Sequence, residues 1–202
     1  MSRQLTIYVR EKNQIILTSM SKGMIVMDEF RRRIYPNFGH FLKDVRFIRG
    51  NRKKMQHNKE DGTLSFAFRE RLMLAVTSVN GCRYCSHHHA RQAILSGVTK
   101  EETDLLLNGV IDHCPEEEAP AIFYAQHWAE TDVNPDSEAR EKLIETYGKE
   151  KAEAIELVLR GIRVGNLTGN TLDYILYRIS FGRLGLTDRD EETGAKKAVD
   201  GV

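Results

Sequence analysis

From Thr63 onward the chain is divided by helix starts and stops at short intervals, and this punctuation leaves little room for a sheet. Thr63 or Ser65 can cap a helix running through Phe66, Phe68, Leu72, Leu74, Ala75 and Val79. Asn80-Gly81 then offers a stop, because both residues tolerate the left-handed conformation. A second helix is expected from about Cys82 to Ser96, closed by Gly97. Thr99-Lys-Glu-Glu102 has the form of a capping box, with a hydroxyl cap and a Glu three residues on. Pro115-Glu-Glu-Glu118 reads as the acidic first turn of a helix through Ala121, Phe123, Tyr124 and Trp128. Asn134-Pro135 opens another that ends at Gly148. Ala152 to Val164 is amphipathic, and Thr171 to Phe181 is a last helix. Only 4 prolines occur in 202 residues, which suits long helices.

Before Thr63 the pattern is weaker. Leu5 to Val9 is β-prone and reads as a short strand or an extended arm. Met24 to Tyr35 reads as a helix stopped by Pro36, Phe38 to Arg49 as another, and the polar stretch Asn51 to Gly62 as a loop. The expectation is an all-α fold of about seven or eight helices with short connections.

Net charge is +1, so bulk electrostatics do not call for nucleic acid. Its distribution is uneven: residues 1–54 hold 13 Lys/Arg against 4 Asp/Glu, and the remainder carries the opposite balance. Lys43, Arg46, Arg49, Arg52, Lys53 and Lys54 form the densest basic stretch. With no aromatic interleaving and no nucleic-acid motif, it reads as a solvated or interface face rather than a nucleic-acid patch. No apolar run approaches the roughly 18–20 residues of a membrane span, and the first residues lack the apolar core of a secretion signal. A cytoplasmic, reducing setting is expected. There, Cys82, Cys85 and Cys114 do not make a disulfide framework, and a close pair is redox-active or metal-binding more often than structural.

The chemistry concentrates between Glu70 and His89. Cys82 and Cys85 stand three apart at a helix start, close enough to form a disulfide, and the unpaired N–H groups there favour a thiolate. His89 follows Cys85 by four residues, one turn along the same face, where it can serve as base. Glu70, among apolar residues on the preceding helix, is the candidate to orient that imidazole. Two other readings fit the same residues. Cys82, Cys85, His89 and either His113 or Cys114 could ligate zinc, or the cysteines could simply pack as small apolar side chains in a non-catalytic oligomeric scaffold or binding module of the same fold. Cys114, between His113 and Pro115, reads as incidental, and Trp128 and Tyr124 as core or subunit interface.

Glu70, eleven intervening residues, then Cys82-x-x-Cys85-x-x-x-His89 resembles the alkylhydroperoxidase D-like branch of the carboxymuconolactone decarboxylase family. The likeness runs from Glu70 to about Asn108, and Ile162 to Asn166 also resembles the family's later helices. It implies a helical bundle over residues 56–186, preceded by a basic extension or helical arm (1–55) and followed by a charged tail (187–202). It implies thiol-dependent reduction of hydroperoxides or disulfides, with Cys85 attacking and Cys82 resolving a Cys82–Cys85 disulfide. His89 and Glu70 would form the proton relay. No cofactor is implied. The partners would be an external dithiol, thioredoxin-like or lipoyl reductant and other copies of the chain in a trimer or hexamer, with neither nucleic acid nor membrane. The branch's best-known peroxidase has a further His directly before the second cysteine. Here that position is Tyr84, a possible auxiliary whose phenol is a poor base at neutral pH but can donate a hydrogen bond.

Overall fold

A computed structural model describes residues 30–188 and Asp190, and these form six α-helices and no strand. They are α1 (Phe38–Glu60), α2 (Phe66–Asn80), α3 (Arg83–Leu95), α4 (Lys100–Leu107), α5 (Ala119–Glu130) and α6 (Ser137–Ile179). The all-α expectation holds. The expected strand or arm at Leu5–Val9 and most of the charged tail lie outside the described residues. No helix among the described residues is long and apolar enough to cross a membrane. The described residues fall into two compact units, one of residues 32–171 and one of residues 30–31 with those from 172 on. In the smaller unit Phe30 meets the edge of Tyr174 at 5.3 Å and lies against Tyr177. Everything described below belongs to the larger.

The caps fall where polar side chains can take up the orphan amides of a first turn. Asn37 accepts from the His40 amide and opens α1. Ser65, not Thr63, accepts from the Phe68 amide and opens α2. Thr63 is instead held by Asp61. Gly81, at φ +70, closes α2 with its amide on the Thr77 carbonyl. Thr99 accepts from the Glu102 amide, as a capping box requires, but the Glu102 carboxylate is bonded to Arg71. The acidic run before α5 precedes its first turn and ends at the cap residue Glu118.

Three expectations need correction. Residues 30–35, the described end of the helix placed over Met24–Tyr35, are not helical. Asn51–Glu60 is helix, not loop. Its polar side chains are satisfied along the turn or by α6: Asn51 donates to the Phe47 carbonyl, Gln56 to Glu60, and Lys54 pairs with Glu153. The helices expected to be separate at 152–164 and 171–181 are one. Gly165, Asn166, Gly169 and Asn170 are weak helix formers, but their packing against α2 and the Cys82–Cys85 turn overrides that preference. The expected stop at Gly148 holds: its φ of 76° and ψ of 159° are non-helical, and α6 is two helices joined across this kink. With the two parts of α6 taken as one element, the described residues hold six helices rather than seven or eight.

α2 is the centre of the larger unit. Leu72, Leu74, Ala75 and Val76 have no exposed surface and pack with Ile122, Ala125 and Trp128 of α5 and Ile155 and Leu159 of α6. Burying each of the larger aliphatic side chains stabilises the fold by about 1.5–3 kcal/mol. Trp128 and Tyr124 are core residues, and the Tyr124 hydroxyl donates to Glu156. Buried polar groups sit on the same helix. Arg71 is 8% exposed and donates to Glu102 at 2.5 and 3.3 Å and to Glu118 at 3.0 Å, tying α2 to α4 and to the start of α5.

Removing Arg71 leaves two enclosed carboxylates without a cation. Burial already pushes the Glu118 carboxyl up, and the Arg71 charge opposes this. Carboxyls whose pKa is raised on folding bind more protons in the folded state, so stability increases as pH falls toward the carboxylate range. Arg71→Met is therefore expected to lose about 3–5 kcal/mol at pH 7 and less at pH 5, read from denaturant unfolding followed by circular dichroism. An equal, small loss at both pH values would show that the cluster is not a structural tie.

Candidate active site

Cys82 is the N-cap of α3 rather than a member of its first turn. Its sulfur accepts from the Cys85 amide at 3.4 Å, the place a Ser or Thr hydroxyl takes in a common cap. The cap brings the two sulfurs to 2.9 Å, both as free thiols. Cys82 is fully buried and Cys85 partly so. His89, one turn along α3, places Nδ1 2.8 Å from Glu70 Oε2. An ionised carboxylate only accepts, so Nδ1 carries the proton and Nε2 is the ring position left for chemistry. Glu70 is 2% exposed and is fixed by its place on α2. At this burial Glu70 is not a surface charge.

Cys85, His89 and Glu70 line one cavity of about 710 Å³. α1 closes it with Ile48 and Met55, α2 supplies Met73, and α6 supplies Leu157 and Val158. Tyr84 does not line it. Its ring is exposed and lies beside Gly169, and its hydroxyl accepts from Arg83. His87 and His88 are exposed on α3.

The Cys85 thiol is pushed far above its ordinary range. The hydrogen bond with Cys82 is the main cause, followed by burial and by the charge Cys82 carries when ionised. A hydrogen bond with Asn166 acts the other way. The helix end alone suggests a lowered value; the neighbouring sulfur outweighs it. Two sulfurs this close titrate as a pair, since once one has lost its proton the other keeps its own to bond to it.

The residues that hold this turn in place were not singled out from the sequence. Asn166 of α6 is fully buried, donates to Thr77 at 3.1 Å and accepts from Asn80 at 3.2 Å. Asn170 donates to the Asn80 carbonyl at 2.7 Å. Gly165 and Gly169 face the cysteines: a Cβ would lie 3.6 Å from Cys85 Sγ at the first and 2.7 Å from Cys82 Sγ at the second. The four-residue spacing of Gly161, Gly165 and Gly169 was the available signal, a small-residue stripe on one face of a helix.

Among the described residues no group of three or more His, Cys, Asp or Glu side chains is arranged to hold a metal ion. His113 lies 4.0 Å from Glu101, and Cys114 sits beside Arg71, Glu102 and Glu118. The zinc set considered from the sequence is not brought together. Burial, then the Glu102 charge, pushes the Cys114 thiol up to about 12.

Residues 49–130 match the model of the carboxymuconolactone decarboxylase family. Glu70, Cys82, Cys85 and His89 all fall within the matched segment, consistent with the alkylhydroperoxidase D-like branch. No curated protein and no solved structure matches the chain.

Two outcomes follow from this geometry. Gly169→Ala is expected to displace Cys82 and slow oxidation of the pair to a disulfide at least about tenfold, because a 2.7 Å approach has no room for a methyl group. Gly165→Ala, at 3.6 Å, is expected to preserve it. Disulfide formation is read by intact mass after alkylation, and equal rates in the two variants would refute the packing argument. Cys114 is expected to react with iodoacetamide at pH 8 at least about tenfold more slowly than a free thiol. A thiol whose pKa is raised on folding favours the folded state fully below its unfolded value of about 8.5. That contribution is lost as pH climbs from there through about 12.

Proposed function

We propose, on the premise that residues 49–130 are a carboxymuconolactone decarboxylase family segment, that the protein is a dithiol oxidoreductase reducing hydroperoxides. The observation that carries this reading is the 2.8 Å contact between buried Glu70 and His89 on the wall of the cavity that Cys85 lines.

Cys85 is the attacking sulfur because it lines the cavity, whereas Cys82 is fully buried. A thiol held protonated by its neighbour needs a base at the moment of attack, and His89, oriented by Glu70, is that base. The Cys85 thiolate attacks the terminal oxygen of the hydroperoxide. An S–O bond forms and the O–O bond breaks, leaving Cys85 as a sulfenic acid. The departing alkoxide takes the proton held by His89 and leaves as an alcohol. The Cys82 sulfur then attacks Cys85, forming the disulfide and releasing water. An external dithiol returns the pair to two thiols and is itself oxidised to a disulfide. No resident cofactor enters any of these steps.

Cys85→Ser is expected to abolish peroxide consumption. Cys82→Ser should stop after one equivalent with a sulfenic acid on Cys85, detectable with a dimedone probe. Glu70→Gln should slow the reaction about a hundredfold by leaving His89 unoriented. Undiminished peroxide consumption by purified Cys85→Ser protein would remove this function and favour a non-catalytic scaffold.

A further inference from the structure

The cavity beside the cysteines has a charge pattern that the dithiol chemistry does not use. Its walls are largely apolar, including Leu64, Met73, Leu157 and Ile162. Two arginines also line it, Arg52 of α1 and Arg69 of α2. Neither forms an ion pair among the described residues. Arg69 lies over the Phe66 ring at 5.5 Å, and Arg52 is exposed. Arg71, the neighbour of Arg69 in sequence, is by contrast fully engaged by Glu102 and Glu118. Among the described residues Glu70 is the one carboxylate on the cavity wall, and it is already bonded to His89. An apolar cavity with two uncommitted cations and a reactive sulfur on its wall matches an amphiphile with a hydrocarbon body, an anionic group and a reducible bond. Its volume of about 710 Å³ lies within the range of roughly 300–1,000 Å³ common for small-molecule sites.

We propose that the substrates of this site are hydroperoxides of long-chain carboxylic acids, with the carboxylate held by Arg52 and Arg69 and the chain packed along α1 and α6. The inference rests on the peroxidase reading for its chemistry and on the cavity alone for its recognition. The arginines take no part in bond making. They set which hydroperoxide is held with its peroxy group toward Cys85, so their effect is on selection. Guanidinium suits this role because its fork meets both carboxylate oxygens and its face tolerates apolar contact, as Arg69 shows on Phe66.

The test compares linoleic acid hydroperoxide with its methyl ester, which keeps the chain and the peroxide but lacks the charge. Wild-type protein is expected to prefer the acid by at least about tenfold in kcat/KM, and this preference should fall toward one in Arg52→Gln/Arg69→Gln protein. Equal use of acid and ester by the wild type, or a preference kept intact in the double variant, would overturn the proposal. A second measurement separates it from the peroxidase reading. Dodecanoate is not reducible, and its binding by calorimetry should be clear in wild-type and Cys85→Ser protein and at least about tenfold weaker in the double variant. If no hydroperoxide is consumed but dodecanoate binds in this arginine-dependent way, the peroxidase reading fails and the anionic-amphiphile site stands. If dodecanoate does not bind, or binds without regard to the arginines, the site fails whatever the catalytic result.

Discussion

The close approach of α6 to the turn between α2 and α3 is the contact on which the rest of this structure depends. Gly165 and Gly169 face the two cysteine sulfurs with no side chain between, and at Gly169 there is no room for one. Asn166 and Asn170, each the next residue along the helix, fasten to Thr77 and Asn80 at the end of α2. Buried amides of this kind are costly unless every group is paired, which is why such a network selects one arrangement of helices over its neighbours. Here it selects the arrangement in which Cys82 caps α3 and holds its sulfur against Cys85.

That arrangement changes the chemistry expected of the pair. A cysteine at the start of an isolated helix is acidified by the unpaired amides around it. Cys85 lies instead beside a second sulfur, partly out of water, and its thiol is raised. A raised thiol needs a nearby base before it can act as a nucleophile, and His89 stands one turn along α3, on the wall of the same cavity. Glu70 and Arg71 are adjacent on α2, yet they serve different ends. Glu70 meets His89 Nδ1 on the wall of the cavity that Cys85 lines, while Arg71 ties α2 to α4 and to the cap of α5. The helix turns them about 100° apart, so one neighbour belongs to the site and the other to the framework that keeps α2 in position.

α1 completes the site from outside. Its later half is polar and would not stand as a helix on its own pattern, but Met55 meets the gap left by Gly161 and Lys54 reaches Glu153. Other contacts pin its earlier half: Asp44 accepts from Tyr35 and from Arg163, and Arg160 lies over Phe47. The basic character of this helix, which from composition alone had no assigned role, is therefore divided. Lys54 is paired with α6, whereas Arg52 faces the cavity.

What the amino-acid sequence determined by itself is what depends on near neighbours in the chain. The all-α class, the caps at Ser65 and Thr99, the stop at Gly81 and the Cys85–His89 spacing rest on interactions within one turn, and each is visible in a few adjacent letters. Glu70 was named through its fixed spacing from the cysteines, while its contact with His89 is made between two helices. Only the tertiary structure decided the rest. It continued α6 through two glycines and two asparagines that propensity reads as a break, because their value lies in what packs against them. It kept the polar half of α1 helical, placed Tyr84 outside the cavity, separated Cys114 and His113 from Cys82 and Cys85, and raised the Cys85 thiol where the local helix end would lower it. In each case the deciding partner is another helix or a neighbouring sulfur, and no reading of local pattern weighs that contact before the chain has closed on itself.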